Sequence, residues 1–219
     1  MTVATSNAEQ RQRQLSRPPV LLGFEHINRY WDRQHATHAA KILPGEYYVT
    51  RVNELITTVL GSCISVCIRD PANKVGGMNH FMLPQATAHA QSKAIDTSAA
   101  ARYGNVAMEY LINSILKYGG RRENLEFKIF GGGRILAQMT DVGDRNIAFI
   151  KHYFRTEGFK VAGHDTGDIY PRKVIYNPIT GKASIKKLRS IHNNTIKDRE
   201  IKYRKELDNA PIEGEIDLF

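Results

Sequence analysis

Cys63 and His80 are the two side chains in this sequence whose types and spacing suit nucleophilic catalysis. Between them lies Asp70-Pro71-Ala72-Asn73-Lys74, strong turn chemistry, because proline presets its own φ and Asp and Asn accept local backbone hydrogen bonds. The flanking runs, Ile64–Arg69 and Val75–Leu83, read as the paired strands of a hairpin. With Asp70 opposite Lys74, His80 lies opposite Ile64; a loop one residue tighter puts it opposite Cys63. Directly opposed side chains sit about 4.5–5.5 Å apart at Cβ, which brings a thiol and an imidazole within reach.

An unassisted thiol has a pKa of about 8.5 and is mostly protonated at neutral pH. His80 can take that proton and later hand it to a departing amine, work that contributes about 10²–10⁴ in rate. Gly61 lets the backbone turn sharply before the nucleophile, so that amide N–H groups near Ser62 and Cys63 aim at a developing oxyanion. Pairing alone favours a blander reading, an inert buried thiol beside a satisfied core histidine, and His26, His35, His38, His89, His152, His164 and His192 offer other partners. A metal site finds less support. On a strand Cys63 and Cys67 lie about 13 Å apart at roughly 3.3 Å per residue. His35-x-x-His38 beside Trp31 reads as surface or aromatic packing, and no metal or cofactor is expected.

The elements that must hold the pair follow from local patterns. Glu46–Val52, after the Pro44-Gly45 turn, and the β-branched Leu55–Leu60 read as strands. Ile64, Val66 and Ile68 alternate with the period of a half-buried strand. Pro84–Ala101, small and polar, reads as a loop that covers the site. From Asn105, Met108, Leu111, Ile112 and Ile115 fall three and four apart, which predicts a helix stopped by Gly119-Gly120. Leu125–Phe130 reads as a buried strand ended by Gly131-Gly132-Gly133, a tight turn rather than a phosphate cradle, since no Lys-Ser/Thr follows. A second helix is capped by Asp144 and ends at Gly158, with Ile147, Ile150 and Phe154 inward. Short strands follow at Phe159–Gly163, Lys173–Tyr176 and Ala183–Leu188. This mixed order, with hairpins and two main helices between strands, predicts an α+β fold, an α/β sandwich of largely antiparallel sheets.

Composition bounds the setting. The 219 residues, 42% hydrophobic, suffice for one sizeable core. Two cysteines cannot form a framework of staples, which points to a reducing, cytoplasmic setting. No apolar run has the length to span a membrane, so no membrane insertion is expected. The net charge of +9 is concentrated in Lys182–Lys205, where nine Lys/Arg face only Asp198 and Glu200. No nucleic-acid-binding signature accompanies that stretch, and it reads as a solvated basic tail that meets acidic protein surfaces. The expected division is a flexible leader over 1–43, a domain over 44–188 and the basic tail over 189–219.

Thr57-Thr58-Val59-Leu60-Gly61-Ser62-Cys63-Ile64-Ser65-Val66-Cys67, followed by Gly76-Gly77-Met78-Asn79-His80-Phe81-Met82-Leu83-Pro84, closely resembles the CheD family of chemoreceptor glutamine deamidases. The resemblance continues through Arg102-Tyr103-Gly104, Phe130–Gly133, Gly143–Asn146 and Asp165-Thr166-Gly167. It implies a Cys-His-Thr hydrolase with Cys63 as nucleophile, His80 as base and Thr57, six residues before the nucleophile and preferred to Thr58, orienting the imidazole. It also implies chemoreceptors, the methyl-accepting chemotaxis proteins, as substrates, a CheC-type phosphatase as a further partner, and a second, methylesterase activity. The closing Gly214–Phe219 resembles the ends of longer members. Two rivals stand beside this reading: an adaptor that binds receptors or the phosphatase without catalysis, and a cysteine peptidase or acyl transferase built on the same pair.

Overall fold

Thr58 and His80, 22 residues apart, are hydrogen-bonded across the interface of two stacked β-sheets. The computed structural model describes residues 17–84, 99–135, 142–189 and 194–209. The first sheet contains β1 (Asn28–Asp32), β2 (Thr37–Lys41), β4 (Leu55–Leu60), β9 (Arg172–Tyr176) and β10 (Ala183–Lys187), in the order β1-β2-β4-β9-β10. The second contains β3 (Tyr47–Thr50), β5 (Ile64–Asp70), β6 (Val75–Asn79), β7 (Glu126–Gly131) and β8 (Val161–Thr166), in the order β3-β6-β5-β7-β8. Among the described strands only β2–β4 and β7–β8 pair in parallel. The α+β sandwich expected from the sequence is the fold observed.

Helix α1 (Ala99–Lys117) packs on β6, β3 and β5, and α2 (Val142–Thr156) packs on β5. The spacing of Met108, Leu111, Ile112 and Ile115 explains α1: all four are buried, each stabilising by about 1.5–3 kcal/mol. Gly119, at φ +95°, ends it. In α2, Phe149, Ile150, Tyr153 and Phe154 face the core. This helix starts at Val142, so Asp144 lies in its first turn and is not its cap. None of the described helices is long and apolar enough to cross a membrane.

Because one sheet covers one face of β5 and the helices cover the other, nearly all of this strand is buried, where alternation alone implied one wet face. The hairpin register also differs from both expected ones. Asp70 pairs with Val75 and Ile64 with Phe81, so the loop holds Pro71–Lys74, with Lys74 at φ +51°. His80 therefore lies across from Ser65.

The expected leader contains structure. β1 and β2 are full members of the first sheet, and the buried Glu54 carboxylate binds Arg29 through Nε and Nη2 at 3.0 and 2.8 Å. Tyr48 and Thr50 hydroxyls donate to its other oxygen at 2.7 Å. The sheet thus begins at Asn28 rather than after Pro44, because a buried carboxylate needs all these donors. The expected basic tail holds α3 (Asn194–Asn209), which packs back on the sandwich. Residues 1–16, most of the loop expected to cover the site, and the closing Gly214–Phe219 lie outside the described residues.

Candidate active site

Gly61-Ser62-Cys63 is the segment by which the chain leaves β4 in one sheet and enters β5 in the other. A crossing of this kind frees the peptide groups from both ladders, and they must find partners elsewhere. Three carbonyls do so on one side. Gly133 N–H donates to the Gly61 carbonyl at 2.7 Å, Asn146 Nδ2 to that of Ser62 at 2.8 Å and Gly132 N–H to that of Cys63 at 2.8 Å. The Gly131–Gly133 turn is therefore the backing of the Gly61–Cys63 segment. Gly131 has φ +112°, and a Cβ there would stand 2.1 Å from the Cys63 carbonyl oxygen.

With their carbonyls pinned, the three amides converge on the other side. Gly61 N–H and Cys63 N–H reach Oε1 of Glu200 at 2.8 and 3.4 Å, and Ser62 N–H reaches Oε2 at 3.0 Å. The Ser62 hydroxyl adds a bond to Oε2 at 2.7 Å. Successive amides aimed at one point form an anion cradle. The Ser62 and Cys63 amides expected to meet an oxyanion bind a carboxylate here, with the Gly61 amide beside them. A Cβ on Gly61 would lie 2.2 Å from Ile135 Cδ1 and 2.7 Å from Glu200 Oε1, so both side chains would have to move to admit it.

His80 follows β6 and is anchored through its backbone to the turn before β3, N–H to the Glu46 carbonyl at 2.9 Å and carbonyl to Gly45 N–H at 2.7 Å. Its ring projects between the sheets. Thr58 Oγ1 donates to the Ile42 carbonyl at 2.8 Å, so its one proton is committed and its lone pair accepts from Nδ1–H of His80 at 2.8 Å. That bonding assigns Nε2 as the unprotonated nitrogen. Nε2 is buried and has no hydrogen-bond partner among the described residues.

Thr57, the threonine expected on the imidazole, donates instead to the Val174 carbonyl of β9 at 3.0 Å. Neighbouring residues of a strand point to opposite faces, and Thr58 shares the inward face with Ile56 and Leu60. Cys63 and His80 lie on one face of their hairpin, as diagonal rather than directly opposed neighbours, given the register through Ile64 and Phe81. Both are fully buried. Burial, then the Glu200 carboxylate, pushes the Cys63 thiol well up, while burial, then the charge of Arg199, lowers His80 to about 3. Thiol and imidazole are both neutral in this arrangement.

Gly45, Tyr47, His80, Tyr103 and Tyr110 line a groove beside the imidazole. Glu200, Asn146 and the backing role of Gly131–Gly133 escaped the sequence reading. The available signal for Glu200 was the four-three-four spacing of Ile196, Glu200, Tyr203 and Leu207, one face of a helix. Trp31 and His38 pack edge to face at 5.0 Å, the aromatic packing expected of them, and His35 Nδ1 lies 3.1 Å from Asp32. Among the described residues no three His, Cys, Asp or Glu gather as a metal site.

The family described as CheD chemotactic sensory transduction matches residues 82–187. The probable chemoreceptor glutamine deamidase CheD of Halorhodospira halophila is 55% identical over 210 residues, 95% of this chain and 97% of that protein. The protein of the same name from Hahella chejuensis is 50% identical over 203 residues, 92% and 95% of the two chains. That from Methylobacillus flagellatus is 51% identical over 194 residues, 88% and 95%.

Proposed function

The chain belongs to the CheD family, and on that premise we propose that it is a chemoreceptor glutamine deamidase with Cys63 as its nucleophile. The observation that carries the residue-level reading is the convergence of the Gly61, Ser62 and Cys63 amides on one carboxylate. A cradle that holds a carboxylate also suits the oxyanion formed when a thiolate attacks an amide carbonyl.

In the proposed reaction His80 Nε2 takes the Cys63 proton and the sulfur attacks the glutamine side-chain carbonyl carbon, its oxygen drawing on the three amides. The carbon–nitrogen bond breaks as His80 returns the proton to the departing ammonia, which leaves a thioester. Water, losing a proton to the same nitrogen, attacks the thioester, and glutamate and the thiol are released. Thr58 keeps the imidazole in the tautomer this sequence needs, as the threonine was expected to do from Thr57.

Both cysteines are free, which suits the reducing cytoplasm where we place the protein. A CheC-type phosphatase is a further proposed partner.

Intact-mass analysis of a chemoreceptor incubated with the enzyme tests the proposal. Each converted glutamine adds about one dalton to an uncut chain, as NH₂ gives way to OH, and one ammonia is released. Cys63→Ala should produce neither. Receptor that binds but gains no mass would leave the adaptor reading, and cleavage would indicate a peptidase.

A further inference from the structure

The carboxylate in the cradle belongs to the protein itself. Glu200 lies 137 residues beyond Cys63 and is 1% exposed despite carrying a charge on a helix rich in lysine and arginine. Buried charges are rare without a purpose-built set of donors, and here the donors are the proposed oxyanion amides and the Ser62 hydroxyl.

The rest of α3 is fitted to the same surface. Ile196, one turn before Glu200, is buried with Ile135 against Val59 and Leu188. Tyr203, one turn after, donates or accepts at 2.7 Å with the hydroxyl of Tyr103, a lining residue of the groove beside His80. Its ring lies over Gly45, where a Cβ would meet the hydroxyl at 3.2 Å. Leu207 extends the contact onto the main core. The four side chains form one stripe of the helix, apolar except for the glutamate at the nucleophile.

A glutamate side chain is the product of the proposed reaction. We infer that α3 is an intramolecular product mimic: it holds Glu200 in the site as a helix of the substrate holds its glutamine, and the enzyme stays closed until α3 leaves. The inference rests on the deamidase reading and deepens it. Substrate is then a helical segment that offers glutamine with apolar side chains four residues before and three and seven after, the pattern of helix-in-groove recognition. The neutral thiol and imidazole agree with a closed state, since burial and then Glu200 raise Cys63, and burial and then Arg199 lower His80.

Alkylation of Cys63 by iodoacetamide, followed by peptide mass, reads the cover directly, with ammonia release from receptor measured in parallel. Glu200→Ala and Tyr203→Ala in the full chain should each raise Cys63 alkylation by about tenfold or more, the shift expected when a docking equilibrium loses an anchoring contact. Cys67, buried on its strand, should not follow, and receptor deamidation should rise with Cys63 alkylation. Alkylation and deamidation both unchanged in the two variants would overturn the inference and leave the deamidase reading standing. Faster alkylation with no ammonia from any variant would overturn the deamidase reading and leave α3 as the cover. Glu200→Gln tests the mimicry itself: Cys63 should hydrolyse the introduced amide, so the purified variant has the wild-type mass, about one dalton above that expected for glutamine. An active Glu200→Gln enzyme that retains its amide would overturn the product-mimic assignment, and Cys63→Ala in the same chain should retain it.

Discussion

Thr58 Oγ1 and His80 Nδ1 lie 2.8 Å apart between the two sheets, and the hydroxyl proton is already given to Ile42. This single contact fixes which imidazole nitrogen carries a proton and leaves Nε2 free for the role of base proposed above.

Thr58→Val should therefore lower kcat by at least about tenfold, a portion of the roughly 10²–10⁴ an aligned base contributes. Thr57→Val should leave kcat within about twofold and cost about 1 kcal/mol of stability through its lost bond to Val174. Ammonia release and denaturant unfolding of both variants check the contrast. Equal losses of kcat would sink the assignment of Thr58.

Gly131→Ala should damage the site from behind. The new methyl meets the Cys63 carbonyl, and the positive φ costs a non-glycine residue about 1–3 kcal/mol. Reduced melting temperature together with reduced kcat is the expected pair of results.

The pH dependence of stability has a worked sign at His80. Its value falls from 6.5 in the unfolded chain to about 3 in the fold, by burial and then the Arg199 charge. Above pH 6.5 neither state binds the proton and the group costs nothing. As pH drops below that, the unfolded chain gains a proton the fold refuses, so stability falls until about pH 3, where the folded ring titrates too. Denaturant unfolding between pH 7 and pH 5 should show a shallower loss for His80→Gln than for the wild type. Identical slopes would contradict a buried neutral imidazole.

Arg29 and Glu54 predict where the domain starts. Glu54→Ala strands a buried guanidinium and should cost about 3–5 kcal/mol. A chain beginning at Pro44 loses β1, β2 and that guanidinium together, and circular dichroism should report it unfolded. A cooperative melt of the shortened chain would argue that these strands are dispensable.

Local chemistry made much of the site legible. Asp70–Lys74 turns the chain back whatever the rest does, so Cys63 and His80 could be paired from sequence, and the glycine before Ser62 announced a sharp crossing. The register was less accessible. A hairpin loop changed by one residue still satisfies the local hydrogen bonds, and the contacts of β6 with β3 and of β5 with β7 settle it.

What the sequence determined by itself is the closeness along the chain of the candidate pair Cys63 and His80, the α+β pattern of elements and the two helices that pack on the second sheet, because each follows from spacing over a few residues. Tertiary structure alone decided that Thr58 rather than Thr57 holds the imidazole, since inward and outward faces of β4 exist only once a second sheet covers one of them. It decided too that a glutamate in a basic stretch reaches the cradle of Cys63. Contacts between residues so far apart depend on how packed layers close on one another, and side-chain burial in that closure outweighs the solubility that the local charge of α3 suggests.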